Sequence, residues 1–62
     1  MSIIAVMYNK DNMQLSLEFA NHNCYVYLDV PHNIGTDMLY NDNLGKYHAE
    51  HIRGHYRYYR VY

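Results

Sequence analysis

The C-terminal part of the chain concentrates the residues that could bind a ligand. From Gly45 onward it contains four of the five Lys and Arg residues, five of the nine Tyr and three of the five His. Its four cations against Glu50 give a net charge of +3, whereas residues 1–44 carry −4. Guanidinium and phenol groups together can hold a phosphate and stack on a base. The same pair of groups also suits a hydrophobic protein interface with a polar rim.

The start of a predicted helix forms part of this segment. Asn43 is a typical N-cap, and Gly45 and Lys46 follow in the first turn, where free N–H groups and the helix dipole attract anions. The alternative is an ordinary cap in which Gly45 admits close packing, because most capped helices bind nothing. The predicted ligand-binding residues are Asn43, Gly45, Lys46, Arg53, Arg57, Tyr58, Tyr59 and Arg60.

The clustered arginines have a second interpretation that needs no ligand. They could form surface ion pairs with the acidic body, whose carboxylates include Glu18, Asp29, Asp37 and Asp42. Exposed ion pairs contribute little stability, so they explain the clustering of the cations only weakly. The sequence supports both interpretations.

Three histidines and one cysteine could carry other chemistry. His48, His51 and His55 have the spacing that places three imidazoles on one face of a continuous helix, as a zinc or nickel site requires. Gly54 interrupts that helix, so we expect no metal site, with His48 packed in the core and the other two solvated. Cys24 falls in the apolar row of a predicted strand, where a buried thiol is inert.

The chain lacks the combinations of residues that catalysis needs. It has no Ser, His and acid set in a recognisable context and no pair of carboxylates placed for acid–base work. A chain of 62 residues is also too short to enclose a substrate cleft. We therefore expect a non-enzymatic binding module without a cofactor.

The length, the single cysteine and the first apolar run bear on the stability and the cellular location of the protein. A core of this size rarely supplies more than about 3–5 kcal/mol of stability unaided. The single cysteine excludes an intrachain disulfide, and an unpaired thiol suits a reducing cytoplasm. The apolar run 3–7 is too short for a membrane span or a signal peptide. We predict a cytoplasmic protein without membrane association, stabilised as a homodimer or a higher homo-oligomer.

Three segments have strand patterns and are joined by short turns at 9–12 and 21–23. Residues 3–8 are apolar on both faces, which predicts a strand that is central or paired with another chain. The second strand alternates over 13–19 and the third over 24–30. The predicted apolar rows are Met13, Leu15, Leu17 and Phe19 in the second strand, and Cys24, Val26, Leu28 and Val30 in the third.

Two helices and a fourth strand complete the prediction. Pro31 suits the first turn of a helix that continues to residue 42, although Gly35 weakens it. A second helix follows Asn43, runs to about residue 53 and ends at Gly54. The residues predicted to share one face of this helix are Leu44, Tyr47, His48, His51 and Ile52. With a weakly alternating strand at the sheet edge over 55–62, the fold class is α+β, a small antiparallel meander with two short helices in one domain, 1–62.

Eight of the nine tyrosines divide into two predicted groups. Tyr58, Tyr59 and Tyr62 are the expected exposed rings for stacking or for an interface. The expected core tyrosines, with hydroxyls that reach solvent, are Tyr8, Tyr25, Tyr27, Tyr47 and Tyr56.

In order and spacing, these segments resemble the KTSC domain, a small module named from its occurrence at the C-terminus of some lysyl-tRNA synthetases and also found as stand-alone bacterial and phage proteins. The resemblance covers residues 3–58. It rests on residues 3–8, Leu15-Ser16-Leu17-Glu18-Phe19, Tyr25-Val26-Tyr27 before Val30-Pro31, Gly45-Lys46-Tyr47, and Ile52-Arg53 with Tyr56 and Tyr58. The departures are Asn23 for a turn glycine, Asn43 for a serine and His48 for an aromatic residue. The resemblance implies a compact meander with two helices and no catalytic residues.

These observations favour a module that binds an anionic nucleotide or nucleic-acid ligand through its basic, Tyr-rich C-terminal segment. The acidic charge of residues 1–44 would repel a long polyanion, which favours a short ligand over duplex DNA. The alternative is a protein-binding module, such as a phage-type inhibitor that docks on a host factor and blocks or sequesters it.

Overall fold

The structure of the protein is a computed structural model that describes residues 2–62. Its strands are β1 (Ile3–Asn9), β2 (Gln14–Phe19), β3 (Cys24–Tyr27) and β4 (Tyr58–Arg60). Its helices are α1 (His32–Tyr40) and α2 (Leu44–Tyr47). Helix α2 continues into a π-helical turn (His48–Ile52). The strands form one antiparallel sheet in the order β1-β2-β3-β4. The predicted α+β meander, with a last strand at the sheet edge, is confirmed.

The register between β2 and β3 decides which face of the sheet is buried. Leu15 lies opposite Tyr27, and Leu17 lies opposite Tyr25. Both leucines are fully buried, so the tyrosines of β3 share the face that the helices cover. Cys24 belongs to the opposite face and is half-buried. The prediction of a buried thiol is therefore wrong, although Val26 of the same predicted row is buried.

The core lies between this face of the sheet and the helices. Its most buried members come from two strands, from both helical segments and from the connection before α1. They are Leu15, Leu17, Tyr27, Val30, Met38, Tyr47 and Ile52.

Three tyrosine hydroxyls form hydrogen bonds within the protein. For these three, the prediction that the hydroxyl reaches solvent is wrong. The Tyr8 hydroxyl donates to the carbonyl of Val30, and the Tyr47 hydroxyl donates to Oδ2 of Asp37 at 3.2 Å. The Tyr27 hydroxyl shares a hydrogen bond with His48. A small core built with tyrosine must satisfy these hydroxyls internally, because an unpaired buried polar group costs about 1–3 kcal/mol. Within residues 2–62, no buried side-chain nitrogen or oxygen lacks a partner.

In both hairpin turns, an Asn side chain accepts a hydrogen bond from the backbone amide two residues later. Oδ1 of Asn12 accepts a hydrogen bond from the Gln14 amide, and Oδ1 of Asn21 accepts one from the Asn23 amide, both at 3.1 Å. The residue between each donor and acceptor takes a positive φ, 58° at Met13 and 70° at His22. β2 consequently begins at Gln14, and the prediction of Met13 as a strand residue is wrong. In the second turn, His22 takes the positive φ and Asn21 acts as the acceptor.

Strand β1 lies at the edge of the sheet. Its register with β2 is interrupted between Ile3 and Ala5, so Ile4 is bulged out. Ile4 and Met7 are 54% and 70% exposed. Of the two predicted positions for this strand, central in the sheet or paired with another chain, the central one is wrong. Within residues 2–62, none of the helices has the length and apolarity needed to cross a membrane.

Helix α1 packs on β1 at Gly35. A Cβ atom at this position would lie 2.6 Å from Cγ of Tyr8, so the ring occupies the space that a side chain would need. The glycine that weakens the helical pattern is therefore the residue that lets helix and strand approach each other. The helix starts after Pro31 and ends at Tyr40, two residues before the predicted end.

We expect Gly35→Ala to lower the free energy of unfolding by about 1–3 kcal/mol, because overpacking against Tyr8 outweighs the better helix propensity of alanine. The matched control is Gly45→Ala, whose Cβ would meet no atom of residues 2–62 within 4 Å. This control should be neutral or stabilising by up to about 1 kcal/mol. Urea denaturation followed by circular dichroism measures both, and equal effects of the two substitutions would contradict the packing argument.

Candidate ligand-binding groove

The second helical segment supplies one wall of the groove. It begins at the predicted N-cap, where Oδ1 of Asn43 accepts a hydrogen bond from the Lys46 amide at 3.2 Å. After one α-turn it widens, and the Arg53 amide donates to the carbonyl of His48 five residues earlier at 2.8 Å. The π-helical turn buries His48 but leaves His51 exposed. His51 therefore does not share the buried side of the segment with His48 and Ile52, because the wider turn changes which residues face the sheet.

The groove lies between this wall and the end of the sheet. Its volume is about 480 Å³, within the range of about 300–1,000 Å³ that is typical of small-molecule sites. Aromatic rings from the sheet line it, together with small and polar residues of the helical wall and of the turn after β2. The lining residues are Ile3, Phe19, Asn21, Asn23, Tyr25, Tyr27, Gly45, His48, Ala49, Arg53, Gly54 and Tyr58.

Three tyrosine rings pack against one another along the sheet side. The Tyr58 ring is 5.6 Å from the Tyr25 ring at 74° and 5.4 Å from the Tyr27 ring at 39°, measured between centroids. Tyr27 is buried, but Tyr58 remains 58% exposed. The inner rings therefore hold the outer ring in place and leave it accessible to a flat ligand.

A buried histidine connects the two sides of the groove. Nε2 of His48 and the Tyr27 hydroxyl oxygen are 2.9 Å apart and share a hydrogen bond. The His48 ring also makes an edge-to-face contact with Phe19, with centroids 5.5 Å apart. Burial lowers the pKa of His48, and the positive charge of Arg53 lowers it further. His48 is therefore held in the neutral form under its aromatic cover.

The charge at the groove is positive. Arg53 lines it, and Nη2 of Arg60 donates to Oδ1 of the lining residue Asn23 at 3.3 Å. None of the lining residues is Asp or Glu. Within residues 2–62, neither arginine has a carboxylate within 4.0 Å. Both guanidinium groups can therefore interact with an anion.

The structure brings only part of the predicted ligand-binding set to this groove. Gly45, Arg53 and Tyr58 line it, and Arg60 reaches its rim through Asn23. Arg60 and Tyr58 lie on the same side of β4, because they oppose Tyr25 and Tyr27 in the register. This agrees with the alternation expected of a C-terminal strand.

The other four predicted residues lie elsewhere. Asn43 and Lys46 line a separate hollow. Tyr59 lies on the opposite face of the sheet, opposite Val26. Arg57 forms an exposed ion pair with Asp29 at 3.5 Å. For Arg57 the ion-pair interpretation therefore describes the structure, and the eight residues do not form one site.

Sequence reasoning did not identify several residues that line the groove. The sequence pattern predicts core positions, and no contact with a ligand, for Phe19, Tyr25, Tyr27 and His48. The signal was available in part, because the alternation of Tyr25 and Tyr27 places both rings on one face of β3. Their position beside the helical wall depends on the strand order and could not be inferred from spacing.

The three histidines of the segment do not converge. His48 is bonded to Tyr27, whereas the His51 ring packs on Tyr47 with centroids 4.5 Å apart. His51 and His55 are exposed, as predicted. Across residues 2–62, no group of three His, Cys, Asp or Glu side chains is placed to hold a metal ion.

The lowered pKa of His48 predicts a pH dependence of stability. The unfolded chain takes up this proton first as the pH falls below the ordinary value of about 6.5. The contribution of His48 to stability is therefore complete above that pH and is lost as the pH falls through the folded-state pKa. We expect His48→Gln to flatten the loss of unfolding free energy between about pH 7.5 and 5.

The exposed His51 supplies the control, and His51→Gln should leave the pH dependence of the wild type unchanged. Urea titrations at several pH values measure the difference between the variants. A pH dependence that is the same in His48→Gln and in the wild type would show that this histidine does not contribute to it.

Comparisons with known proteins agree with this architecture. The family model of the KTSC domain matches residues 1–61. Among solved structures, a crystal structure of a KTSC domain protein from Yersinia pestis superimposes with a TM-score of 0.90 at 23% sequence identity, covering 97% of this chain and 84% of the other. No curated protein matches the chain. The match over almost the whole length shows that the chain belongs to the KTSC domain family.

Proposed function

We propose that the protein is a non-enzymatic binding module whose groove accepts one nucleotide unit, either as a free nucleotide or as part of a single-stranded nucleic acid. The observation that carries this proposal is the combination, within residues 2–62, of an accessible Tyr58 ring with Arg53 and Arg60, which have no carboxylate partner, at a groove lined by neither Asp nor Glu. These groups recognise the two chemical features of a nucleotide, a flat base and an anionic phosphate.

The base is assigned to the tyrosine side of the groove. Stacking on an aromatic side chain contributes about 1–3 kcal/mol for each base and tolerates different bases. Tyr25 and Tyr27 fix the orientation of Tyr58, so little side-chain freedom is lost when a ligand stacks on it. His48 lies below this surface and is neutral. A base that stacks there therefore does not have to displace water from a charged group.

The phosphate is assigned to the arginine side. Arg53 is exposed, projects from the end of the π-helical turn and lines the groove, and Arg60 reaches the rim from the sheet. A guanidinium group can donate two parallel hydrogen bonds to a phosphate. The acidic charge of residues 1–44 opposes a long polyanion. The proposal is therefore a single nucleotide unit rather than duplex DNA.

Isothermal titration calorimetry with ATP, AMP and a labelled single-stranded oligonucleotide tests the proposal and separates free nucleotides from nucleic acid. We expect Arg53→Ala and Tyr58→Ala each to weaken binding by about tenfold or more, through loss of a charge-assisted hydrogen bond and of stacking, respectively. For the oligonucleotide, Arg53→Ala should also reduce the salt slope by about one unit.

The matched controls are Arg57→Ala, which removes an arginine already paired with Asp29, and Tyr59→Ala, which removes a ring on the opposite face. Both should bind like the wild type. The proposal is refuted if the wild type binds none of the probes, or if Arg57→Ala weakens binding as much as Arg53→Ala.

A protein-binding module is the second candidate function, and a specific surface favours it. On the sheet face opposite the helices, Met7 and Tyr59 lie in one cross-strand row with Ser16 and Val26 between them. Met7 and Tyr59 are 70% and 49% exposed. Such a face could dock on a host factor, in the manner of a phage-type inhibitor.

The two functions use opposite faces and can be separated. If the protein acts by docking on another protein, Tyr59→Ser should reduce capture of that partner from a nuclease-treated lysate, and Tyr58→Ala should not. The reverse order of effects, with capture abolished by nuclease, would favour the nucleotide.

A further inference from the structure

The outer edge of β1 is a long row of unpaired backbone groups. Within residues 2–62, β1 pairs only with β2, so its other edge has no partner strand. In an antiparallel ladder, about half of the N–H and C=O groups of such a strand point away from its neighbour. Beyond the bulge at Ile4, the five residues from Ala5 to Asn9 keep an uninterrupted register and present a regular edge.

This edge lacks most of the features that normally prevent strand addition. Native edges are kept short, charged, interrupted by proline or covered. No charged residue and no proline occurs in Ile3–Asn9, and only the bulge at its start interrupts it. The other edge of the sheet differs, because β4 has three residues and includes Arg60, with Arg57 just before it. The contrast assigns strand addition to β1.

The side chains beside the edge favour pairing with an apolar strand. Val6 and Tyr8 belong to the face that the helices cover, and Tyr8 packs on α1. Met7 is directed to the uncovered face, where it remains 70% exposed. A partner strand that brings an apolar side chain opposite Met7 would remove this surface from water.

We propose that β1 pairs with β1 of a second copy of the chain, antiparallel about a twofold axis, and joins the two sheets into one. The regular stretch is centred on Met7, so a twofold register about this residue places Met7 opposite Met7 of the partner chain and Ala5 opposite Asn9. Identical strands satisfy each other's edge groups in this arrangement, and the same surface is used on both sides. A second copy meets these requirements without any further partner.

Sedimentation equilibrium in the micromolar range tests the pairing. We expect twice the 7.5 kDa mass of one chain for the wild type. Met7→Lys places two like charges opposite each other and should give a folded monomer, because Met7 is exposed and its replacement leaves the core intact. Tyr59→Lys changes the same face at the far edge of the sheet and should remain dimeric.

A cross-link tests the register. In a Cys24→Ser background, Met7→Cys should form an intermolecular disulfide under mild oxidation, because directly opposed residues of an antiparallel pair lie within disulfide reach. Tyr59→Cys in the same background should not. A wild type that stays monomeric throughout the micromolar range overturns the proposal. A dimer that survives Met7→Lys but is lost in Tyr59→Lys also overturns it, because the sheet faces would then form the interface. Neither outcome affects the nucleotide proposal, which concerns the opposite face.

Discussion

The hydrogen bond between the Tyr27 hydroxyl and Nε2 of His48 joins the sheet to the second helical segment. Both residues are buried, so each polar group depends on the other for a partner. The bond has a consequence for the backbone as well, because His48 begins the π-helical turn whose last hydrogen bond runs from the Arg53 amide to the His48 carbonyl. The turn that brings His48 to the sheet also ends beside Arg53. One buried contact thus connects the core, the groove and the charge at its wall.

The tyrosines explain how a short chain builds both a core and a binding surface. Tyr8, Tyr27 and Tyr47 contribute apolar area to the interior, and each has a hydroxyl that bonds to a group from another part of the chain. These bonds tie the segment before α1, the second helical segment and α1 to their neighbours. Tyr58 continues the same row of rings to the surface, where only its position at the sheet edge leaves it exposed. The core and the proposed ligand surface are therefore one continuous aromatic layer.

The arginines show how similar side chains acquire different roles. Arg57 forms an exposed pair with Asp29, which contributes little stability. Arg60 follows three residues later on the other side of β4 and bonds to a neutral amide, which leaves its charge uncompensated. Arg53 belongs to the helical wall. Within residues 2–62, the arginines of the C-terminal segment thus divide into one ion pair and two guanidinium groups at the groove without a carboxylate partner.

The sequence by itself determined the α+β meander, the cap at Asn43 and the return of β4, because alternation, turn residues and capping chemistry are local properties. It did not determine which row of β3 faces the helices. Both rows were compatible with a strand, and the pairing of Leu15 with Tyr27 decided between them. It also did not reveal that Gly35 makes room for Tyr8, since that contact joins two distant segments. The groove depended on tertiary structure, because β4 pairs with β3 rather than with β1, and this pairing brings Tyr58 beside Tyr25 and Tyr27.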